Sequence, residues 1–309
     1  MWSRQVDEYI NAHECHSHEI VRVLTRGRSA VQSFEIAELG NYGASMIIEG
    51  RVQSTEHDEY IYHEALIYPS YGLHPKLSRA LCLGGANGGM LRELCKLPDV
   101  EAITVVDIDP ELYEASKVYL PHMHHGASDD PRCTILFGDP RGTVATLAGP
   151  FDVVYADLPD AVSGTNTASL FTQEFYHAIK RYLSAGGLYV TQAGPAHHRD
   201  CEFFASVLRT LESVFRYAIP YSIAVPSFGV PWGFVIAGDA IDPARSDSID
   251  LPGKLARLDG DDLRSYDSIS HQHMFSLPKQ LRTALAGAGR IISDSDKIYV
   301  ESGPAGWRG

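Results

Sequence analysis

The stretch "LCLGGANGGMLREL", residues 81–94, constrains the fold more than any other part of this chain. An apolar run enters a turn carrying Gly84, Gly85, Gly88 and Gly89, and a helix-forming run leaves it. The glycines let the backbone turn tightly and approach a ligand closely, and the start of the helix offers unpaired amides. The texture then repeats. "RALCLGG", "AITVVDID", "CTILFGD", "FDVVYADL" and "GGLYVTQAG" are short apolar runs separated by helix-like stretches. That alternation predicts an α/β fold, a doubly wound parallel sheet with helices on both faces.

Alone, such a turn could be a tight βα connection and nothing more. Asp107 sharpens it by ending the next apolar run roughly 20 residues on, where an acid typically accepts hydrogen bonds from ribose. Asp139, in "FGDP", ends the third run, so both acids are expected on the carboxyl edge where open α/β sheets hold ligands. The glycine pattern G-G-x-x-G-G departs from the dinucleotide fingerprint G-x-G-x-x-G. A nucleoside without pyrophosphate, such as an adenosyl sulfonium, fits the acid-rich rim better.

Ahead of this region, residues 30–55 alternate apolar and polar residues, broken by "GNYG" and "EG", and read as a small antiparallel meander. "DEYIYHEALIYPSYGL" reads as an amphipathic helix on which either Tyr62 or His63 should face the core. "YAIPYSIAVPS" and "WGFVIAGD" are expected to close the sheet as an antiparallel hairpin. Residues 240–265 read as a polar loop and the tail after about Tyr299 as loose. The expected organisation is a β domain over residues 1–65 and a Rossmann-like domain over 66–309.

A formal charge of −13 argues against a nucleic-acid surface. Five widely spaced cysteines without C-x-x-C fit reduced thiols in a cytoplasm, not a disulfide framework or zinc site. No apolar run is long enough for a membrane span, and the first ten residues lack a signal core. "HMHHG", residues 122–126, invites a metal reading, but no second ligand cluster has suitable spacing, so a solvated loop is expected and no metal. Arg51 and His57 read as surface charges.

From about Gln32 to Leu281 the chain resembles the polyamine aminopropyltransferases, the spermidine and spermine synthase family. "VQSTEHDEYIYHEALIYP", "LGGANGGMLREL", "VVDIDPEL", "DVVYADLPD", "LFTQEFY" and "HQHMFSLPKQL" stand in that family's order and spacing. "VTQAGPA" and "VPSFGVPWGFVIAGD" are similar to the thermospermine synthase branch. The resemblance implies a class I methyltransferase-like sheet behind a small amino-terminal β domain, and a cytoplasmic homodimer. It implies transfer of the aminopropyl group of decarboxylated S-adenosylmethionine to a polyamine nitrogen, with release of methylthioadenosine. By the same resemblance, Gly84, Gly85, Asn87, Gly88 and Ile108 belong to the donor site. Asp107 would hold the ribose, Asp139 the adenine amino group, and Gln32 and His63 would flank the nucleoside. Asp157 and Asp160 match the family's D-x-x-D, whose second acid faces the attacking amine. Tyr62 would assist it, and Gln53, Gln192, Phe228 and Trp232 would line the amine channel.

The chemistry is sound without the family. An amine with a pKa near 10.4 is almost wholly protonated at neutral pH, and a carboxylate such as Asp160 can dock it and take its proton. As plain structure, Asp157 could instead be a helix N-cap, and Phe228 and Trp232 could be packing. Two departures from the family stand out. Ala161 replaces the usual proline after the second acid, and Asn87 replaces an acid that would grip the ammonium of the donor's tail. A hydrogen bond to a charged group is worth roughly 1.5–3 kcal/mol against about 1 for a neutral one. The loss therefore admits intact S-adenosylmethionine as a donor, most simply for a methyltransferase. A nucleoside-binding protein without turnover is the reading from a different class.

Overall fold

The computed structural model describes residues 4–11, 13–161, 166–240, 242, 251–258 and 263–300. Two sheets account for its strands. The first is antiparallel, in the order β1 (Gln5–Asn11), β2 (Glu14–Arg28), β3 (Ser33–Leu39), β4 (Gly43–Ile48) and β5 (Arg51–Thr55). The expected meander is its second half. The hairpin β1–β2 in front of it is an addition, and β2 alternates poorly because one of its faces is largely solvated.

Helix α1 (Glu59–Leu73) leads into the second sheet. Its elements are β6 (Arg79–Gly84), α2 (Gly89–Cys95), β7 (Ala102–Asp107), α3 (Pro110–Tyr119), α4 (Pro121–His124), β8 (Cys133–Phe137), α5 (Pro140–Val144), β9 (Phe151–Asp157), α6 (Gln173–Lys180), β10 (Leu183–Pro195), α7 (Glu202–Glu212), β11 (Tyr217–Ala224) and β12 (Pro231–Gly238). The spatial order is β11-β12-β10-β9-β6-β7-β8. The five strands from β10 to β8 run parallel, and β12 pairs antiparallel with both β10 and β11, the expected closing hairpin. Central strands are buried on both faces with period two. Leu81, Leu83, Val154 and Ala156 enter one apolar cluster; Ala80, Cys82, Val153 and Tyr155 enter the other. That is why these strands read as unbroken apolar runs.

Strand order reverses at β6: β7 and β8 lie to one side and β9 and β10 to the other. A crevice opens outside the carboxyl ends of strands at such a point. The glycine turn, Asp107 and Asp157 all fall there.

Four expectations are corrected. Helix α1 is not amphipathic but buried almost all round, and both Tyr62 and His63 are inside. Its polar members are matched instead of exposed; the Glu64 carboxylate, for instance, accepts three backbone N–H groups from Arg264, Ser265 and Tyr266. The expected boundary after residue 65 falls within this helix, whose side chains pack with the second sheet. Residues 240–265 are not all loop, since α8 (Leu251–Leu255) lies there, ahead of α9 (Ser268–Phe275) and α10 (Lys279–Gly287). Nor is "HMHHG" a solvated loop. It ends α4, and His124 is buried with Nε2 2.8 Å from Ser116 Oγ and 3.2 Å from the Ala86 carbonyl. Burial pushes this imidazole down to about 4, so it is neutral packing beneath the glycine turn. The tail beyond Val300 lies outside the described residues.

Candidate active site

A cavity of about 330 Å³ occupies the crevice, between the second sheet and one face of the first. Gln32, Gln53, Tyr62, Gly84, Gly85, Asn87, Asp107, Ile108, Asp139, Asp157, Asp160, Gln192, Phe228 and Trp232 all line it. His63 and Gly88 do not reach the surface of the cavity. Their contribution is behind the wall.

The turn is built on positive φ. Gly84, Gly85 and Gly88 have φ of 80°, 93° and 82°, a region that costs other residues about 1–2 kcal/mol. A Cβ on Gly84 would lie 2.2 Å from the Asp157 carbonyl oxygen, and one on Gly88 would lie 2.4 Å from His124 Nδ1. Asn87 uses its Oδ1 to accept the Gly89 N–H at 2.9 Å, so its Nδ2 is turned toward Ser54 Oγ, 3.4 Å away. The turn therefore places a neutral amide in the cavity wall where a carboxylate was the family expectation.

At one end of the cavity Asp107 accepts the Asp109 N–H at 2.9 Å and is almost wholly buried. Burial, helped by Asp109 and Asp157, pushes its carboxyl up to about 6. Ribose hydroxyls donate best to the ionised form. Affinity for an adenine nucleoside is expected to fall about tenfold per pH unit below pH 6, measured by calorimetric titration with methylthioadenosine. The sign for stability is opposite. A carboxyl with a raised folded-state pKa makes the empty protein gain stability from this group as pH falls from 6 toward 4. Gln32 donates to Asp109 Oδ2 at 3.0 Å, and Ser29 donates to the same oxygen at 2.7 Å, fastening the β2–β3 turn beside Asp107. Asp139 caps α5 through Arg141 N–H and is otherwise exposed to the cavity mouth.

At the other end Tyr62 donates to Asp157 Oδ1 at 2.8 Å. Burial and the Asp157 charge drive the phenol well above its ordinary range, so it stays protonated and acts as a donor. His63 stands behind this pair, Nδ1 2.6 Å from Glu59 and Nε2 3.8 Å from Asp157 Oδ2. Burial alone would lower its pKa, but the two flanking carboxylates outweigh it and hold the imidazole at about 9, hence charged. Arg92 completes the buried row on Glu59. Phe228 reaches Tyr62 because Asp58 accepts both the N–H and the hydroxyl of Ser227, tying that turn to the start of α1. Gln192 is spent on the backbone, donating to Leu158 O and accepting from Gly194 N–H. It braces the loop between the two acids.

Arg51 was expected to be a surface charge. Instead its Nε lies 2.7 Å from Asp160 Oδ2, and the two side chains are 11% and 7% exposed. Glu8, on the unexpected β1, also lines the cavity; its Oε1 accepts the Val52 N–H while its buried Oε2 has no hydrogen-bond partner. Among the described lining residues six are acids and Arg51 is the sole base. A cationic ligand suits such a wall.

A family model described as the spermine/spermidine synthase domain matches residues 59–245. Polyamine aminopropyltransferase 2 of Hyperthermus butylicus is 35% identical, over 96% of this chain and 97% of its own. The polyamine aminopropyltransferase of Aeropyrum pernix is 34% identical, over 95% and 94%. A spermidine synthase crystallised with the transition-state analogue AdoDATO superposes with a TM-score of 0.85 at 28% identity, covering 92% of this chain and 97% of that one. Spermidine synthase from Thermotoga maritima gives 0.83 at 29%, covering 92% and 96%. The chain belongs to the spermine/spermidine synthase family.

Members of the spermine/spermidine synthase family named above are transferases, and this chain is a transferase of their kind with the same methyltransferase-like sheet. Among the described residues no helix is long and apolar enough to cross a membrane. The described residues hold one cluster with metal-ligand chemistry, Cys95, Asp130 and Cys133, at the opposite, amino edge of the sheet. Both oxygens of Asp130 are taken by Arg132, whose charge opposes a cation there.

Proposed function

We propose that this protein transfers the aminopropyl group of decarboxylated S-adenosylmethionine to a nitrogen of a polyamine. One observation carries the reading: a single cavity joins Asp107 at the nucleoside end to the Tyr62–Asp157 pair and Asp160 at the other. The acceptor ammonium docks between Asp157 and Asp160. Tyr62 engages one oxygen of Asp157, with the charged His63 3.8 Å from the other, and Arg51 engages one oxygen of Asp160. Asp160 takes a proton from the ammonium, and the freed lone pair attacks the carbon beside the sulfonium. The carbon–sulfur bond breaks with its electron pair on sulfur, giving the neutral thioether methylthioadenosine and a secondary ammonium. The sulfonium is already activated, so this chemistry needs no metal. Glu8, whose buried Oε2 has no hydrogen bond and lies 3.6 Å from His18 Nε2, supports docking of the acceptor's remote ammonium. Gln32, Gly84, Gly85 and Ile108 enclose the nucleoside, Asp139 meets its base, and Phe228 and Trp232 wall the amine channel.

Incubation with decarboxylated S-adenosylmethionine and a panel of di-, tri- and tetra-amines, followed by mass measurement, tests this. An adduct heavier by one aminopropyl group is expected. An adduct heavier by one methyl group from the intact donor would overturn the reading in favour of a methyltransferase. Methylthioadenosine binding with no product would leave a binding protein. Asn87 specifically favours use of the intact donor as a second reading, because a neutral amide lines the cavity where a carboxylate would repel the intact donor's own carboxylate. Asn87→Asp is expected to raise the preference for the decarboxylated donor at least about tenfold in kcat/KM. An unchanged ratio would show that Asn87 is not the selector. We also propose a cytoplasmic homodimer built partly on the amino-terminal sheet, whose edge strand β1 has one open side.

A further inference from the structure

Away from the cavity, the last residue of α2 meets the first residue of β8. Cys95 Sγ lies 3.8 Å from Cys133 Sγ, sulfur against sulfur, and both residues are half-buried, so a small reagent can reach them. Asp130 holds Arg132 by its side chain, and the same guanidinium donates to the Cys95 carbonyl, parking a positive charge beside the two sulfurs. A neighbouring cation favours thiolate, the reactive form. Cys133 is pushed down from the usual thiol range by its hydrogen bond with Cys95, against burial and the Asp130 charge and with Arg132 adding to the effect. The remaining cysteines differ: Cys82 and Cys201 are buried, and Cys15 is exposed on β2 far along the chain.

We infer that Cys95 and Cys133 form a thiol–disulfide exchange site that takes low-molecular-weight disulfides, with Cys133 as nucleophile and Cys95 as resolving thiol. Cys133 thiolate attacks one sulfur of the co-reactant and expels the other as a thiolate, leaving a mixed disulfide. Cys95 then gives up its proton and attacks Cys133 Sγ, closing the internal S–S bond and releasing the second thiolate. The two protein sulfurs lose two electrons, the co-reactant gains them as two thiolates, and one proton leaves, that of Cys95. The sulfurs, 3.8 Å apart, have to approach to the roughly 2.05 Å of a disulfide. The bond would loop residues 95–133, which include β7 and Asp107, and so restrict the unfolded chain.

The native full-length protein is incubated with oxidised glutathione, then digested without reduction and analysed by mass spectrometry. A peptide linking Cys95 to Cys133 is expected, with loss of two of the five titratable thiols and recovery of both on adding dithiothreitol. The oxidised form should melt roughly 5 °C or more above the reduced form. Cys95→Ser should accumulate glutathione on Cys133, whereas Cys133→Ser should leave Cys95 largely unmodified. Glutathione spread over single cysteines, adducts at Cys15 alone, or equal labelling in the two variants would overturn the assignment. So would stoichiometric Zn²⁺ held by the reduced protein and lost in both variants, which would make the pair a metal site.

Discussion

Asp160→Asn is expected to lower kcat by roughly 10²–10⁴-fold, the usual contribution of a positioned proton acceptor, while methylthioadenosine still binds. The amide keeps the shape of the carboxylate but neither attracts an ammonium nor takes its proton. A second effect accompanies the first. Arg51 is 11% exposed, and the substitution removes its charged partner. Breaking a buried pair from one side costs up to about 3–5 kcal/mol, so the variant should also melt earlier. The two effects separate in one series of measurements. Turnover is read well below the melting midpoint, and calorimetry checks that nucleoside affinity is within about twofold of the parent. Undiminished turnover would remove Asp160 from the proton transfer and leave Asp157 to carry it.

Gly84→Ala should damage both stability and binding, although it adds a single methyl group. The new Cβ would sit 2.2 Å from the carbonyl oxygen of Asp157, on the paired strand β9, at a position where φ is +80°. Backbone strain of about 1–2 kcal/mol and overpacking of about 1–3 kcal/mol act together. Against a net stability of about 5–15 kcal/mol this is a large fraction. Relief requires Asp157 to move, which breaks its 2.8 Å bond with Tyr62. Urea denaturation should show a lower midpoint, and nucleoside affinity should fall at least about tenfold even where the protein is folded. A variant with the parent's midpoint and affinity would show that the turn has slack that the packing denies.

The second sheet was legible because its strands are buried on both faces, so β6, β7 and β9 stand out as apolar runs that finish on a glycine or an acid. The acids of the cavity were legible for the same reason: strand ends on one edge of a parallel sheet must share a crevice. Contacts across long sequence separations were not. Arg51 looks like an ordinary surface charge until Asp160, 109 residues on, is folded against it. His124 sits in a histidine-rich string that resembles solvated loop, and only the approach of Ser116 and the Ala86 carbonyl explains its burial. The β1–β2 hairpin was hidden because His18 and Ile20 are its main buried residues in β2, too few to set a period. Glu8 was lost with it. The helical spacing in α1 was visible, but its all-round burial was not, since Glu59, His63 and Glu64 read as a polar face until their partners appear.

The apolar cluster of Phe34, Ile36, Met46 and Ile48 with Ala86, Leu112, Leu120 and Met123 joins the smaller sheet to the glycine turn and to the two helices beside it. The smaller sheet is thus no detachable ornament. A chain trimmed back to the larger sheet would keep its strands but bare one wall of the crevice, and would leave Ala86 and Met123 facing water. Any ancestor or engineered fragment that traded this sheet for another would have to rebuild the same oily seam before it could hold a nucleoside at all.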